Sequence, residues 1–133
     1  MKTTLAGLVV AAGLLLGTGP ALAHHAFSAE FDANKPVTLT GTVTKVEWTN
    51  PHAWFYIDVA DATGKVTNWA FELGGPNTLI REGWTRNSMK PGDIVTVEGS
   101  RAKDGSPIAN AQAVTLKSTG KRLFAASSRG QQQ

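Results

Sequence analysis

Residues 37–48, VTLTGTVTKVEW, alternate between apolar and polar side chains, which restricts this segment to an extended strand with one buried face. Val37 and Val43 share one parity, and the threonines between them share the other. The phase then changes, because Trp48 belongs to the opposite parity. A bulge or coil within residues 41–45 restores the burial of both halves. The pattern therefore predicts one long first strand that bends and serves two parts of a curved sheet.

Four further segments have strand patterns, and turn sequences rich in Asp, Gly and Pro separate most of them. The last of these segments needs a bulge of its own. Its residues Ile108 and Val114 share a parity that would otherwise bury Asn110 and Gln112. The four segments are 52–59 (HAWFYIDV), 66–73 (VTNWAFEL), 94–100 (IVTVEGS) and 108–116 (IANAQAVTL).

A short helix of about two turns is predicted from Pro76 to Glu82, with Pro near its first position and Gly83 past its end. Three strands, a short helix and two more strands are the outline of an OB-type barrel. We therefore expect an all-β fold with one short helix, a five-stranded OB-like barrel with an extended N-terminal arm. A plain β-sandwich fits less well, because its seven strands are not found. The predicted interior residues are Val37, Leu39, Phe55, Ile57, Trp69, Phe71, Val95 and Val97, with Trp48 and Trp84 in the core or at its rim.

The first 23 residues have the organisation of a signal peptide. Lys2 supplies a positive start, residues 5–16 form an apolar run, and ALA at 21–23 matches the small-x-small pattern of a cleavage site. A run of about a dozen residues is shorter than the roughly 20 that cross a bilayer, which argues against an uncleaved anchor. The sequence therefore predicts export to the periplasm and a mature chain that begins at His24 with a free α-amino group.

Cleavage leaves 110 of the 133 residues, which is the size of one small domain. There is no cysteine, so no disulfide supports its core. Without Lys2 the chain has 12 basic and 10 acidic residues, a net charge of about +2, which disfavours nucleic acid as a partner. The predicted organisation is a signal peptide at 1–23, an arm at 24–36, the barrel domain at 37–117 and a basic, polar tail at 118–133. The end of that tail, SSRGQQQ, is predicted to be disordered, and no transmembrane segment remains after processing.

The histidines form the first candidate site. His24 and His25 would open the mature chain, and His52 lies in WTNPHAW. An N-terminal His offers its amine and its ring to one ion, and the ring of a second His completes a three-nitrogen set that suits Cu(II). His25 offers another mode, in which the amine, the first backbone amide and the second ring bind. The sequence leaves both modes open, and it also leaves open that the histidines only form a polar start and a turn.

The aromatic residues form a second candidate site. Trp54 and Tyr56 lie on the outward face of the second strand, where barrels of this class bind ligands. With Asn50 they could bind a saccharide or another flat ligand. Alternatively, Phe27 and Phe31 of the arm cover these rings.

Catalytic signatures are not found in the sequence, which contains no Cys nucleophile, Gly-x-Ser-x-Gly, phosphate loop or HExxH. This favours a binding protein over an enzyme. An oxidase or monooxygenase that uses the N-terminal His is a third reading.

Four segments together resemble an uncharacterised family of small bacterial periplasmic proteins. They are HHAFSAEFD, GTVTKVEWTNPHAW, GWTRNSMKPGD and RAKDGS. Members of that family share a His-His-(Ser or Ala)-Phe start and a Trp-x-Asn-Pro-His motif. The resemblance implies export and a single domain, and it implies no activity.

The function expected from the sequence is that of a small exported binding module. It would bind a transition metal, with Cu(II) favoured, through the processed N-terminal His and His52. The alternative is a metal-free periplasmic adaptor, or a small-ligand or saccharide-binding module that uses the outer aromatic face.

Overall fold

A computed structural model describes residues 26–126, which form a mainly β structure. The predicted signal peptide, His24, His25 and the predicted disordered end of the tail lie outside these residues. The elements are α1 (Ala26–Glu30), β1 (Phe31–Glu47), β2 (Trp54–Ala60), β3 (Val66–Glu72), α2 (Pro76–Arg81), β4 (Ile94–Ala102), β5 (Ile108–Leu116) and β6 (Arg122–Phe124).

The six strands form one sheet in the order β3-β2-β1-β4-β5-β6. A further pairing joins β3 to β5 in parallel, from Ala70 opposite Ile108 to Glu72 opposite Asn110. The pairings of the first five strands therefore close into a ring, while β6 lies against β5 outside it. The mainly β class predicted from the sequence is confirmed, and α2 occupies the position predicted for the short helix.

Both predicted bulges are present. The β1–β2 register passes from Val43 opposite Ile57 to Lys45 opposite Tyr56, so Thr44 is the extra residue. The β4–β5 register shifts between Glu98 and Gly99, which lets Val114 enter the core while Asn110 faces the other way. The phase changes in the sequence are thus bulges in the sheet.

The core lies inside the ring and contains most of the residues predicted for it. Phe55 and Phe71 stack there with ring centroids 5.2 Å apart. Trp84 is buried, and Trp48 packs partly buried against the same cluster. Five predicted interior residues are fully buried, namely Phe55, Ile57, Phe71, Val95 and Val97. Val37, Leu39 and Trp69 are only partly buried and pack against that core.

The prediction of an extended arm at 24–36 is wrong for residues 26–30, which form α1, while residues 31–36 belong to β1. Phe27 and Phe31 explain the helix. Their ring centroids lie 5.8 Å apart, and both rings pack in a small cluster with Ala102 and Ile108. Four residues of extended chain would separate such rings by about 13 Å, whereas one helical turn lets them contact the same surface.

Within the predicted tail, residues 122–124 form a sixth strand that the sequence did not indicate. Leu123 is buried in the core, and the indole N–H of Trp84 donates to the carbonyl oxygen of Phe124 at 2.8 Å. The backbone N–H of Ala125 then donates to the carbonyl of Gln112. An alternation of three residues is too short to be distinguished in the sequence from a polar segment.

Within residues 26–126, neither helix is long and apolar enough to cross a membrane.

Candidate functional site

His52 lies in the connection between β1 and β2, and backbone hydrogen bonds attach this connection to the end of β3. The N–H of Ala53 donates to the carbonyl of Gly74 at 3.0 Å, and the N–H of Leu73 donates to that of Ala53 at 2.9 Å. The hydroxyl of Thr49 donates to the carbonyl of His52 at 3.1 Å, and the Asn50–Pro51 peptide bond is cis. The position of His52 relative to β3 is therefore set by the fold.

The imidazole of His52 faces a buried carboxylate. Its Nδ1 atom is 3.5 Å from Oε1 of Glu72, and the two side chains are 31% and 7% exposed. The contact turns Nε2, on the other side of the ring, away from Glu72. His52 thus has one nitrogen against a carboxylate and a second nitrogen on a partly exposed side chain.

Glu72 is held in turn by Asn110, whose side-chain N–H donates to Glu72 Oε1 at 3.1 Å in buried surroundings. Burial raises the pKa of Glu72, and the carboxylate of Glu30 acts in the same direction. His52 and Asn110 oppose that change in the pKa, because both favour the charged carboxylate. The pKa of Glu72 therefore depends on three neighbours from three separate parts of the fold.

Residues 26–126 contain no cluster of three or more His, Asp or Glu side chains suited to a metal ion. His24 and His25, the predicted partners of His52 in a metal site, lie outside this part of the chain. Among the described residues, His52 and Glu72 have the arrangement of a metal-binding His with a carboxylate behind it. A His that binds metal with one nitrogen commonly has a carboxylate on the other, which fixes its ring orientation.

A pocket of about 380 Å³ adjoins this polar group. It is lined by the end of α1, the first residues of β1 and β2, and the β4–β5 turn. The backbone N–H of Lys103 donates to the carbonyl of Glu30 at 2.8 Å, which attaches the turn to α1. The lining residues are Ala29, Glu30, Phe31, Trp54, Ala102, Lys103, Asp104, Ser106 and Ile108.

The predicted aromatic site is only partly assembled, because Trp54 lines the pocket whereas Tyr56 and Asn50 do not. The hydroxyl of Tyr56 donates to Glu47 at 3.1 Å, and Lys45 contacts both the Glu47 carboxylate and the Tyr56 ring. The pKa of Glu47 is lowered, mostly by the hydrogen bond from Lys45 and secondly by the one from Tyr56. Burial raises the pKa of Tyr56. Phe27 and Phe31 pack on Ala102 and Ile108, and Phe31 shares the pocket with Trp54.

Sequence reasoning missed Glu72, Asn110 and Glu30 as site residues. The alternation in VTNWAFEL does place Glu72 on the face opposite Phe71, and the bulge in β5 places Asn110 outside the core. Their contact depends on the parallel pairing of β3 with β5, which no local pattern indicates.

No curated protein matches this chain. The model of a family described as a family of unknown function, DUF6152, matches residues 11–111. The chain belongs to this family.

Proposed function

We propose that this chain is a small exported binding module that binds a transition metal ion, Cu(II) in the favoured case. The ligands would be His52 and the processed N-terminus, with the ring of His24 or His25. The observation that carries this proposal is the contact between His52 Nδ1 and the buried carboxylate of Glu72. In metal sites a carboxylate at one ring nitrogen orients the His for the ion, and here the other nitrogen is Nε2.

The reach of the N-terminus supports the proposal. Glu30 lines the same pocket as Trp54, and Trp54 pairs with Glu72 between β2 and β3, so the end of α1 lies close to the polar group. A helix of five residues is about 7 Å long, and two further residues add at most about 7 Å. These lengths permit the amine of a chain that begins at His24 to approach His52.

The OB-like barrel is part of the same proposal. The ring order β1-β2-β3-β5-β4, with α2 between β3 and β4, is the arrangement expected of that fold. In OB folds the connections between strands 1 and 2 and between strands 4 and 5 bind ligands. Here the first carries His52 and the second lines the pocket beside Trp54.

Calorimetry with Cu(II) on protein that begins at His24 tests the metal site. We expect one ion per chain, and at least a tenfold loss of affinity in His52→Ala and when the α-amino group of His24 is acetylated. Affinity should also fall between pH 7 and pH 5, because protons compete for the amine and the rings. His25→Ala distinguishes the two binding modes.

A matched control is Lys45→Ala, which removes an exposed nitrogen donor beside Glu47 and should leave Cu(II) affinity unchanged. Unchanged affinity in His52→Ala and in the N-acetylated protein would refute the metal site. The metal-free adaptor or small-ligand module, with Trp54 at its binding face, would then be favoured.

A further inference from the structure

We propose that the pocket beside Trp54 binds a small organic cation with an apolar body, such as an arylalkyl amine. This site is distinct from the metal proposal, since His52 is not among the described residues that line the pocket. Its volume of about 380 Å³ lies in the range of small-molecule sites.

The pocket has an apolar floor. Phe31 and Ala102 are buried within it, and Ile108 packs against them. Trp54 lies on the neighbouring strand β2 and also lines the pocket. A flat or branched hydrocarbon group fits such a surface, because burying it removes apolar area from water on both sides.

The rim of the pocket carries more negative than positive charge. Glu30 and Asp104 contribute carboxylates, and Lys103 contributes one ammonium group. Asp104 accepts hydrogen bonds from the hydroxyl of Ser106 at 2.6 Å and from its backbone N–H at 2.9 Å. These bonds lower the pKa of Asp104, so its carboxylate remains ionised at neutral pH.

The carboxylates of Glu30 and Asp104 favour a ligand cation at this rim. An indole ring adds attraction, since Trp is the best aromatic partner for a cation. An anionic ligand would meet the repulsion of these carboxylates, and a neutral sugar would gain no ionic attraction from them.

The test uses metal-free protein that begins at His24, held in EDTA, so that failure of the metal site does not affect the outcome. Three probes of similar shape are compared by chemical-shift titration. They are 2-phenylethylamine, 2-phenylethanol and 3-phenylpropionate, and maltose is added as a fourth probe. We expect the amine to bind at least tenfold more tightly than the alcohol, with weaker binding at high salt.

Substitutions locate the site. Trp54→Ala should lower the affinity for the amine at least tenfold, and Glu30→Gln should reduce the preference for amine over alcohol. Glu98→Gln is the matched control, because Glu98 is an exposed carboxylate paired with Arg122 on another part of the sheet, and it should change neither value.

The proposal is overturned if the alcohol or the propionate binds as tightly as the amine, or if maltose alone binds. It is also overturned if no probe shifts the Trp54 signals, or if Glu30→Gln and Glu98→Gln behave alike.

Discussion

Asn110 donates its side-chain N–H to Glu72 Oε1 at 3.1 Å across the parallel pair β3–β5, and both side chains are buried. Glu72 follows Phe71 in β3, so the pair lies on the face of the sheet opposite the core. The β1–β2 connection reaches this face through His52. The ring of strands thus has a second buried surface, and His52 and the pocket are next to it.

Glu72→Gln should make the protein more stable at neutral pH relative to wild type. Burial raises the pKa of Glu72 above its ordinary value of 4.5, so the folded state favours the protonated form. The stability that this group contributes is complete below pH 4.5 and is lost as pH rises through the folded-state pKa. Gln keeps an acceptor for Asn110 and carries no charge. Urea denaturation at pH 4 and at pH 7.5 should therefore show a difference between variant and wild type that grows with pH.

Asn110→Ala is the complementary change and should destabilise the protein at neutral pH, because it leaves the buried carboxylate without its donor. The exposed Glu98 is the reference, and Glu98→Gln should show little change between the two pH values. If wild type were instead more stable than Glu72→Gln at pH 7.5, the carboxylate would be stabilising and the expected direction would be wrong.

Phe55→Ala should cost about 3–5 kcal/mol in the free energy of unfolding, as expected for a large aromatic side chain in a core. Phe55 is fully buried and stacks on Phe71. Trp54→Ala should cost clearly less, because Trp54 is only partly buried and lines an open pocket. Guanidinium denaturation of both variants measures the difference in the free energy of unfolding. Equal losses of stability would mean that the two faces of β2 contribute equally to the stability of the fold.

Much of this arrangement follows from sequence patterns that span a few residues. Alternation assigns Phe55 and Trp54 to opposite faces, and the change of phase after Val43 indicates a bulge that the structure has at Thr44. Pro76 and Gly83 frame the short helix, and Gly83 has a positive φ of 93°. Each of these features is set by interactions among residues that are close in the chain, so a short stretch of sequence is enough to predict it.

The features that sequence did not predict depend on contacts between distant residues. Strand β6 is stabilised by the burial of Leu123 in the core, and α1 is stabilised by the packing of Phe27 and Phe31 against Ala102. The contact of Asn110 with Glu72 joins residues 38 positions apart. The pattern of residues within one segment does not indicate which distant residue it will contact.

Gly41→Ala should destabilise the protein by about 1–3 kcal/mol, the usual cost of adding atoms to a filled site. A Cβ atom at Gly41 would overlap the backbone carbonyl of Asp58 and approach Val59. This close approach of β1 and β2 immediately precedes the bulge, so relief would require the strands to separate. Thr38→Ala, at an exposed position of the same strand, is the control and should change stability by less than about 1 kcal/mol. Thermal denaturation of the two variants is sufficient to compare them.

Phe27→Ala should detach α1 while leaving the main core folded. Phe27 is 6% exposed, and it belongs to the cluster formed with Phe31 and Ala102, apart from the core inside the ring. Amide hydrogen exchange should therefore become faster in residues 26–30 and stay nearly unchanged in β2 and β3. If the processed N-terminus and His52 bind one Cu(II) ion, the same variant should also lower its affinity, because a detached segment presents the amine at a lower effective concentration. Ile80→Ala is the matched control, since Ile80 is 55% exposed on α2 and lies outside both clusters. Faster exchange throughout the sheet would show that the two clusters unfold together, and unchanged Cu(II) affinity despite local detachment would separate the metal site from α1.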